Sequence, residues 1–322
     1  MTSVLTVAPP AQPVPVPRTV EWVAAELRTL LRTGALELPV PGHGGLAHRW
    51  AALAAHGRRD LALARLAEGH TDAVAILAEA GRKPEPGALY GVWAAKSGGT
   101  GAVLDRGRLS GTVRFCSGLT TLDRALVAAG DRLVEVDLGA PGVVRHPEAW
   151  QALGMDASDS GDVVFDSVSV ASDAVIGPPG WYVERPGFVF GGTGVAAVWL
   201  GGAAGVLDVV RDVLRERADE HQLADFGALH TAVASADALL TATAAVLEDA
   251  PDPVLLNDTC RASVEHAARE VLHHAPRITG PAPMCRNRGF SQRLADLQVF
   301  VRQHHGDRDL AALGRRVLEV TP

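Results

Sequence analysis

The chain contains 322 residues, of which 47% are hydrophobic and 21% are charged, and its mean hydropathy is +0.12. A chain of this length is expected to form two or three packed units, and this composition excludes an intrinsically disordered protein. The 30 basic and 37 acidic residues give a net charge of −7. We therefore expect no nucleic-acid partner, because phosphate binding needs a concentrated basic face.

The cysteine content and the first residues indicate the compartment. Cys116, Cys260 and Cys285 are odd in number and widely spaced, which predicts neither a disulfide framework nor a zinc site and favours a reducing cytoplasm. Residues 1–18 are rich in proline and predict a flexible arm, not a signal peptide. The longest apolar runs are short and contain glycine, so we expect no contact with a membrane.

Residues 19–83 predict a small N-terminal helical domain. Its helices are expected over residues 19–34, 46–57, 61–66 and 72–81. Asp60 is predicted to be the N-cap of the third of these helices. Glu68, His70 and Asp72 are residue types that bind metals, but no second cluster accompanies them. Helix capping is therefore the preferred interpretation of these residues, and no metal site is predicted.

The pattern changes over residues 84–180, where short β-branched segments are separated by turns. Six strands are expected, over residues 89–93, 102–104, 109–115, 125–128, 133–136 and 163–170. Because no helices lie between them, they predict an antiparallel β-barrel domain and not a parallel Rossmann sheet. The stretch from Arg108 to Gly118 alternates polar and apolar residues, as a half-buried strand does, and ends in the small polar step Cys116-Ser117-Gly118.

Residues 181–322 predict a C-terminal helical bundle. Helices are expected over residues 194–217, 223–247, 255–275 and 290–304, with a loop over residues 277–289. Small residues such as Gly201 and Gly202 in the first helix of the bundle predict a close contact with another helix. The order of helices, barrel and helices places the chain in the α+β class.

Four segments in this order resemble the acyl-CoA dehydrogenase superfamily from about residue 45 onward. They are Gly111–Gly118 (GTVRFCSG), residues 153–168, the Gly201-Gly202 pair and residues 293–296. The first is similar to the flavin-facing strand of that superfamily. Its Phe-Cys-Ser-Gly ending is also similar to the flavin-dependent monooxygenases that share the fold. The chain resembles a short, divergent member, because its helical N-terminal domain is reduced.

The resemblance implies that FAD lies between the barrel and the bundle. Ser117 is expected to hydrogen-bond the isoalloxazine ring, and Phe115 and Trp93 are expected to line it. Thr279 and Gly280 stand where the family commonly contacts the dinucleotide of a neighbouring subunit. The predicted cofactor-binding residues are Trp93, Phe115, Cys116, Ser117, Gly118, Thr279 and Gly280.

The base that dehydrogenases of this family use is missing from this sequence. The two positions where the family carries a catalytic glutamate fall within Gln303–Gly306 and near Val195. His304 or His305 is a chemically adequate replacement, because the pKa of histidine lies near neutrality. The alternative interpretation is a pair of solvated histidines at a helix end. Glu184 is the nearest acidic alternative.

The resemblance implies a FAD-dependent oxidoreductase that dehydrogenates a thioester-linked or similarly activated small substrate. Two alternatives stay open: a flavin-dependent monooxygenase on the same fold, and a non-catalytic binding or assembly protein. We expect a homodimer or homotetramer formed through the C-terminal bundle. The sequence does not identify the electron acceptor or a flavin reductase.

Overall fold

The computed structural model describes residue 3 and residues 14–95, 101–215 and 218–319. The N-terminal part contains helices α1 (Val20–Arg32), α2 (Leu46–Arg59) and α3 (Leu61–Glu79). Asp60 is the N-cap of α3, and its side chain accepts a hydrogen bond of 2.9 Å from the backbone N–H of Leu63. That prediction is confirmed, but the expectation of two short helices is wrong. Residues 61–79 form one continuous helix, because its buried apolar residues continue on several sides.

The eight strands of the central part form one sheet. They are β1 (Tyr90–Trp93), β2 (Gly101–Asp105), β3 (Arg108–Cys116), β4 (Arg124–Ala129), β5 (Arg132–Asp137), β6 (Val143–His146), β7 (Gly161–Ser169) and β8 (Val175–Ile176). The order is β6-β7-β3-β2-β4-β5-β8, and β1 lies beside β4. Most neighbours are antiparallel, whereas β4 is parallel to both β1 and β2.

The predicted barrel is not closed. Strands β6 and β8 stand at the two ends of the sheet, and among the described residues β6 pairs with β7 and β8 pairs with β5. They contain four and two residues, and the described pairings do not join them to each other. The fold is therefore of mixed α and β character, with an open and mainly antiparallel sheet followed by helices.

The C-terminal part is helical. It contains α4 (Trp181–Glu184), α5 (Gly187–Leu214), α6 (Glu220–Val246), α7 (Pro253–Thr279), α8 (Pro281–Arg286), α9 (Arg288–Phe300) and α10 (Asp307–Glu319). The loop expected over residues 277–289 is wrong: α7 continues to Thr279, and α8 fills most of the remainder. Proline is compatible with the first turn of a helix, so Pro281 begins α8 and does not prevent it.

Helix α5 runs through the main core and packs directly on α2. A Cβ atom on Gly201 would stand 2.0 Å from the carbonyl oxygen of Ala54, and one on Gly205 would stand 2.7 Å from that of Arg58. Only glycine permits so close an approach, which confirms the contact predicted from the small residues. By length and composition, residues 187–214 and 220–249 are long and apolar enough to cross a membrane. In the first, the apolar residues are mostly buried inside the protein.

Helix α3 contributes to three cores. Leu63 and Leu66 belong to the core beneath the sheet, Leu61 and Ala64 to the core around α5, and Ile76 and Leu77 to a smaller core with Tyr90. A helix that packs on several sides leaves a narrow strip for polar residues. Arg65, Glu68 and Asp72 of α3 share such a strip, which borders a cavity.

Arg18 joins three separate segments of the chain. Its guanidinium is 3% exposed and bonds Asp60 at 2.7 Å, Asp156 at 2.7 Å and Asp296 at 2.6 Å. Burial alone lowers the pKa of Arg18, but Asp60 and Asp296 outweigh it and raise that pKa above its ordinary value. The end of the predicted proline-rich arm is thus anchored to α3 and α9.

We predict that Arg18→Met destabilises the protein by about 3–5 kcal/mol, because it leaves Asp60 and Asp296 buried without their cation. Equilibrium unfolding in urea measures this loss. The matched control is Arg215→Met, since Arg215 and Asp212 form an exposed ion pair of 3.4 Å. That control should cost less than about 1 kcal/mol. Equal losses in the two variants would contradict the role assigned to Arg18.

Candidate functional site

A cavity of about 1960 Å³ lies between the sheet, α3 and the C-terminal helices. Its walls come from the ends of β1 and β3, from α3, from α4 and the first turns of α5, and from α7 and α9. Pockets for a single small molecule usually measure about 300–1,000 Å³. This cavity is therefore large enough for a cofactor together with a substrate.

The sheet side of the cavity carries a row of hydroxyl groups. We define this side by Trp93, Phe115, Ser117, Ser158 and Ser160, all of which line the cavity. The oxygen atoms of Ser117 and Ser160 are 2.9 Å apart, and those of Ser160 and Ser158 are 2.7 Å apart. Each hydroxyl has one proton and two acceptor sites. Ser117, the member at the end of the row, can therefore offer hydrogen bonding to a molecule in the cavity.

The backbone at the end of β3 directs Ser117 and Phe115 into the cavity. Phe115 has φ +58°, and the pairing of β3 with β7 shifts register between Val113 and Cys116. The side chain of Phe115 is 55% exposed, whereas that of Cys116 is buried in the core below the sheet. Burial also raises the pKa of the Cys116 thiol, which keeps it protonated.

Gly118 fixes the position of the chain after Ser117. Its φ is +79°, and a Cβ atom there would stand 2.5 Å from the side chain of Leu122. Its N–H donates a hydrogen bond of 3.0 Å to the carbonyl oxygen of Ser158. Gly118 thus serves the geometry of the sheet side through its backbone, and it does not line the cavity.

Hydrogen bonds to Asp159 fix the loop that carries Ser158 and Ser160. Its carboxylate accepts four hydrogen bonds of 2.6–3.1 Å, from the N–H and hydroxyl groups of Thr120 and Thr121. Its backbone has φ +51°, in the left-handed region. The N–H of Leu119 also donates to the carbonyl oxygen of Asp159 at 2.8 Å. These bonds hold Ser158 and Ser160 against the end of β3.

Trp93 forms the wall beside Ser117. Its indole N–H donates a hydrogen bond of 3.0 Å to the carbonyl oxygen of Ser117. The ring is 2% exposed and also belongs to the core beneath the sheet. This hydrogen bond therefore fixes the orientation of the Trp93 ring beside the backbone of Ser117.

The helical side of the cavity is charged. We define it by Arg65, Glu68 and Asp72 of α3, with Tyr182 of α4 and Arg261 of α7. Arg65 donates a hydrogen bond to Glu68, whose side chain is only 5% exposed. Burial raises the pKa of Glu68 to about 7, and the neighbouring Asp72 adds to this rise while Arg65 opposes it. Burial at this position thus favours the protonated form of the Glu68 carboxyl group.

The helical side also carries Tyr182 and Arg261. Burial raises the pKa of Tyr182 to about 12, so its hydroxyl keeps its proton. The guanidinium of Arg261 lies 5.0 Å from the ring centre of Trp199 and donates to the carbonyl oxygen of Gly192. Burial lowers the pKa of Arg261, and Asp309, Asp258 and more weakly Glu68 oppose this shift.

The two predicted histidines have different surroundings. His305 lines the cavity at the turn between α9 and α10, and its Nδ1 lies 3.3 Å from a carboxylate oxygen of Asp309. His304 is 4% exposed and does not line the cavity; its Nδ1 accepts a hydrogen bond of 3.2 Å from the N–H of Gly306. Burial lowers the pKa of His304, which favours the neutral ring.

Thr279 and Gly280 lie apart from the cavity in this chain. They stand at the C-terminal end of α7, where the hydroxyl of Thr279 donates to the carbonyl oxygen of Ala275 at 2.9 Å. Gly280 has φ +70° and separates α7 from α8. Among the seven predicted cofactor-binding residues, the fold thus brings Trp93, Phe115 and Ser117 together on the cavity wall.

Sequence reasoning did not assign Glu68, Tyr182 and Arg261 to the site. It interpreted Glu68, His70 and Asp72 as capping residues, but they lie in the interior of α3. His70 faces away from the cavity and accepts a hydrogen bond of 3.1 Å from the N–H of Tyr90. The useful signal was the spacing of residues 65, 68 and 72, which places three charged side chains on one face of a helix.

Comparison with known proteins identifies the fold. No family model matches the chain. The dibenzothiophene monooxygenase of Mycolicibacterium goodii is 30% identical over 132 residues, which are 34% of this chain and 31% of that protein. That of Rhodococcus erythropolis is 28% identical over 173 residues, which are 44% of this chain and 41% of that protein. The matches thus span less than half the length of these curated relatives.

Solved structures match almost the whole chain. TdsC from Paenibacillus sp. A11-2, in complex with FMN and indole, superposes with a TM-score of 0.73 and 18% identity, covering 94% of this chain and 98% of that one. Methanesulfinate monooxygenase MsuC from Pseudomonas fluorescens gives a TM-score of 0.77 and 19% identity, covering 94% and 97%. The resemblance is confirmed: the chain has the acyl-CoA dehydrogenase-like fold of these monooxygenases.

We predict that Asp159→Ala destabilises the protein by about 3 kcal/mol, because four donors lose a charged acceptor and alanine disfavours a positive φ. Asp159→Asn is the matched control, since asparagine tolerates the left-handed region and keeps an acceptor oxygen. It should cost about 1 kcal/mol. Urea unfolding of the two variants measures the difference. A loss from alanine no larger than that from asparagine would contradict the role assigned to these bonds.

Proposed function

We propose that the chain is a flavin-dependent oxidoreductase that acts on a small molecule bound in this cavity. The observation that carries the proposal is the sheet side, where Ser117 lines the cavity together with Trp93 and Phe115. A protein tunes a flavin through hydrogen bonds to the edge of its ring system and through exclusion of water. The FMN in the TdsC complex supports a flavin on this fold.

The lining of the cavity fits a flavin nucleotide. The volume of about 1960 Å³ admits the ring system and a second molecule. Arginines line the cavity near its sheet side and near the end of α9, where a phosphate group requires cations; they include Arg114, Arg302 and Arg308. We keep FAD as the predicted nucleotide. Its adenine half would then contact Thr279 and Gly280 of a second copy, in a homodimer or homotetramer.

The residues of the chain have distinct roles in the proposed reaction. A bound flavin supplies two-electron redox chemistry and reactivity toward O₂, which side chains lack. Trp93 and Phe115 shield the sheet side from water, and Ser117 presents a hydroxyl that Ser160 and Ser158 hold in place. His305 is the proposed base, because it lines the cavity and its Nδ1 is paired with Asp309. This pairing leaves Nε2 to accept a proton.

The sequence predicts dehydrogenation of an activated substrate, and monooxygenation is the second candidate. The names of the relatives favour the second, since those described above are called monooxygenases. The two positions that carry glutamate in dehydrogenases of the family hold Val195 and the Gln303–Gly306 turn here, and both border the cavity. In either reaction we propose that the protein acts in the cytoplasm.

Three measurements on the purified protein test these proposals. Absorbance and mass spectrometry of the released cofactor show whether a flavin is bound and whether it is FAD or FMN. Anaerobic bleaching of the bound flavin by butyryl-CoA would support dehydrogenation. Incorporation of ¹⁸O from ¹⁸O₂ into indole, with reduced flavin supplied, would support monooxygenation. A protein that takes up neither flavin would overturn both enzyme proposals and leave a binding or assembly protein.

We predict that Ser117→Ala weakens flavin binding about fivefold to tenfold, because a hydrogen bond of about 1 kcal/mol is lost at the ring edge. The absorption bands of the bound flavin should shift as well. Fluorescence titration with FAD and with FMN measures the affinity. Ser172→Ala, at an exposed serine of the same domain, is the control and should change neither property. Unchanged affinity and spectrum in Ser117→Ala would remove the flavin from this position.

A further inference from the structure

One wall of the cavity is held in place by a residue that lies outside the cavity. Tyr182, Val183, Arg185 and Phe188 line the cavity, whereas Glu79, at the C-terminal end of α3, does not. The four lining residues belong to α4, to the residue after it and to the start of α5. Helix α4 contains only four residues, which is too short for a helix to be stable by itself. Its position must therefore come from contacts with the rest of the protein.

Glu79 bonds both sides of the junction between α4 and α5. One of its carboxylate oxygens accepts a hydrogen bond of 2.7 Å from Arg185, and the other accepts one of 3.0 Å from the N–H of Gly187. The side chain of Arg185 is 6% exposed and that of Glu79 is 21% exposed, so water competes little for these bonds. Pro186, the N-cap of α5, provides no side-chain cap. The carboxylate of Glu79 therefore takes the place of that cap, at the helix end that favours a negative charge.

Gly187 leaves open the space that this contact occupies. A Cβ atom at Gly187 would stand 2.5 Å from a carboxylate oxygen of Glu79 and 2.6 Å from the guanidinium of Arg185. Even an alanine at this position would therefore displace both groups. The segment thus supplies the cation, the N–H group and the open space that one distant carboxylate requires.

Two aromatic rings connect this contact to the interior of the cavity. The guanidinium of Arg185 lies 5.5 Å from the ring centre of Tyr182. The ring of Tyr182 meets that of Phe188 edge to face, with 5.5 Å between the ring centres and an angle of 83°. Tyr182 also packs on the small core that contains Ile76. The position of Phe188 therefore depends on Arg185 and, through it, on Glu79.

The surface that this segment presents to the cavity is apolar. Val183 is 57% exposed and Phe188 is 41% exposed, and both line the cavity. Ile76, Val92 and Val195 line it as well. Exposed large apolar side chains in a cavity are suited to contact with the apolar part of a ligand.

We propose that Tyr182, Val183 and Phe188 contact the apolar part of the substrate, and that Glu79 is the positioning residue for this contact. The proposal rests on the proposed function in identifying the ligand as the substrate. Glu79 does not touch the ligand; it acts through Arg185 and Tyr182 on the ring of Phe188. A ligand that fits this wall binds only while the wall is in place. Loss of the Glu79 carboxylate therefore lowers the fraction of the protein that is competent to bind.

The test uses indole, a neutral molecule with a two-ring apolar body, as the probe. Calorimetry on the full-length protein measures its affinity for the wild type, for Glu79→Gln, for Phe188→Ala and for the double variant. Phe188→Ala should weaken binding about threefold to tenfold, because an aromatic contact is lost, and Phe188→Tyr should retain the affinity. Glu79→Gln should weaken binding about threefold. In the double variant Glu79→Gln should add almost nothing, because its effect is exerted through the ring that Phe188→Ala removes.

Hydrogen exchange measures the position of the segment without a ligand. The backbone N–H groups of residues 181–190 should exchange about tenfold faster in Glu79→Gln, because a charged hydrogen bond is lost, whereas those of β3 should be unchanged. Glu85→Gln, at an exposed glutamate between α3 and β1, is the control and should alter neither exchange nor affinity. If Glu79→Gln does not fold, Gly187→Ala replaces it, since alanine favours a helix and displaces the same carboxylate.

Four results would overturn the proposal: indole that does not bind the wild type, indole affinity that is unchanged in Phe188→Ala, effects of Glu79→Gln and Phe188→Ala that add in the double variant, or unchanged exchange of residues 181–190. The flavin content of the same preparation is measured separately. A protein whose indole binding follows the expected pattern but that takes up no flavin would contradict the proposed function and leave this wall standing. A flavoprotein whose indole affinity does not depend on Phe188 would do the reverse.

Discussion

A continuous set of hydrogen bonds connects the buried ion pairs of Arg18 to the wall of the cavity. Both carboxylate oxygens of Asp296 accept hydrogen bonds from Arg18, and one of them also accepts the N–H of Met155 at 2.6 Å. The carbonyl oxygen of Met155 accepts the hydroxyl of Ser158 at 2.6 Å, and the serine row follows from there to Ser117. The position of the proposed flavin contact thus depends on an arginine near the start of the chain. Networks of this kind are stable when every member is bonded, and costly to interrupt.

Helix α3 carries the second constraint, because it packs in three cores and borders the cavity. Its apolar residues pack in these cores, which leaves one strip for Arg65, Glu68 and Asp72. A carboxyl group on that strip loses most of its water and cannot turn away. The raised pKa of Glu68 is therefore a consequence of packing, in which burial outweighs the nearby cation.

The parts of the site that sequence predicted are those with a local cause. The alternation of polar and apolar residues predicted strand β3. The position of Asp60 predicted the N-cap of α3, and the glycines of α5 predicted a close contact with another helix. The sheet side was predicted from one short segment together with a family resemblance. What was missed depends on elements far apart in the chain. The closure of the sheet depends on β6 and β8, and the environment of Glu68 depends on α2, α4 and α7.

The charge of the cavity likewise cannot be predicted from the composition of the chain. The chain carries a net charge of −7, yet seven arginines against four acidic residues line the cavity among the described residues. A cationic, partly enclosed cleft in an acidic protein concentrates anions, since low-dielectric walls focus its field. Neutral hydroxyl groups occupy the sheet side and charged groups the helical side. A neutral ring system and a charged group can therefore lie in one cavity without competing for the same contacts.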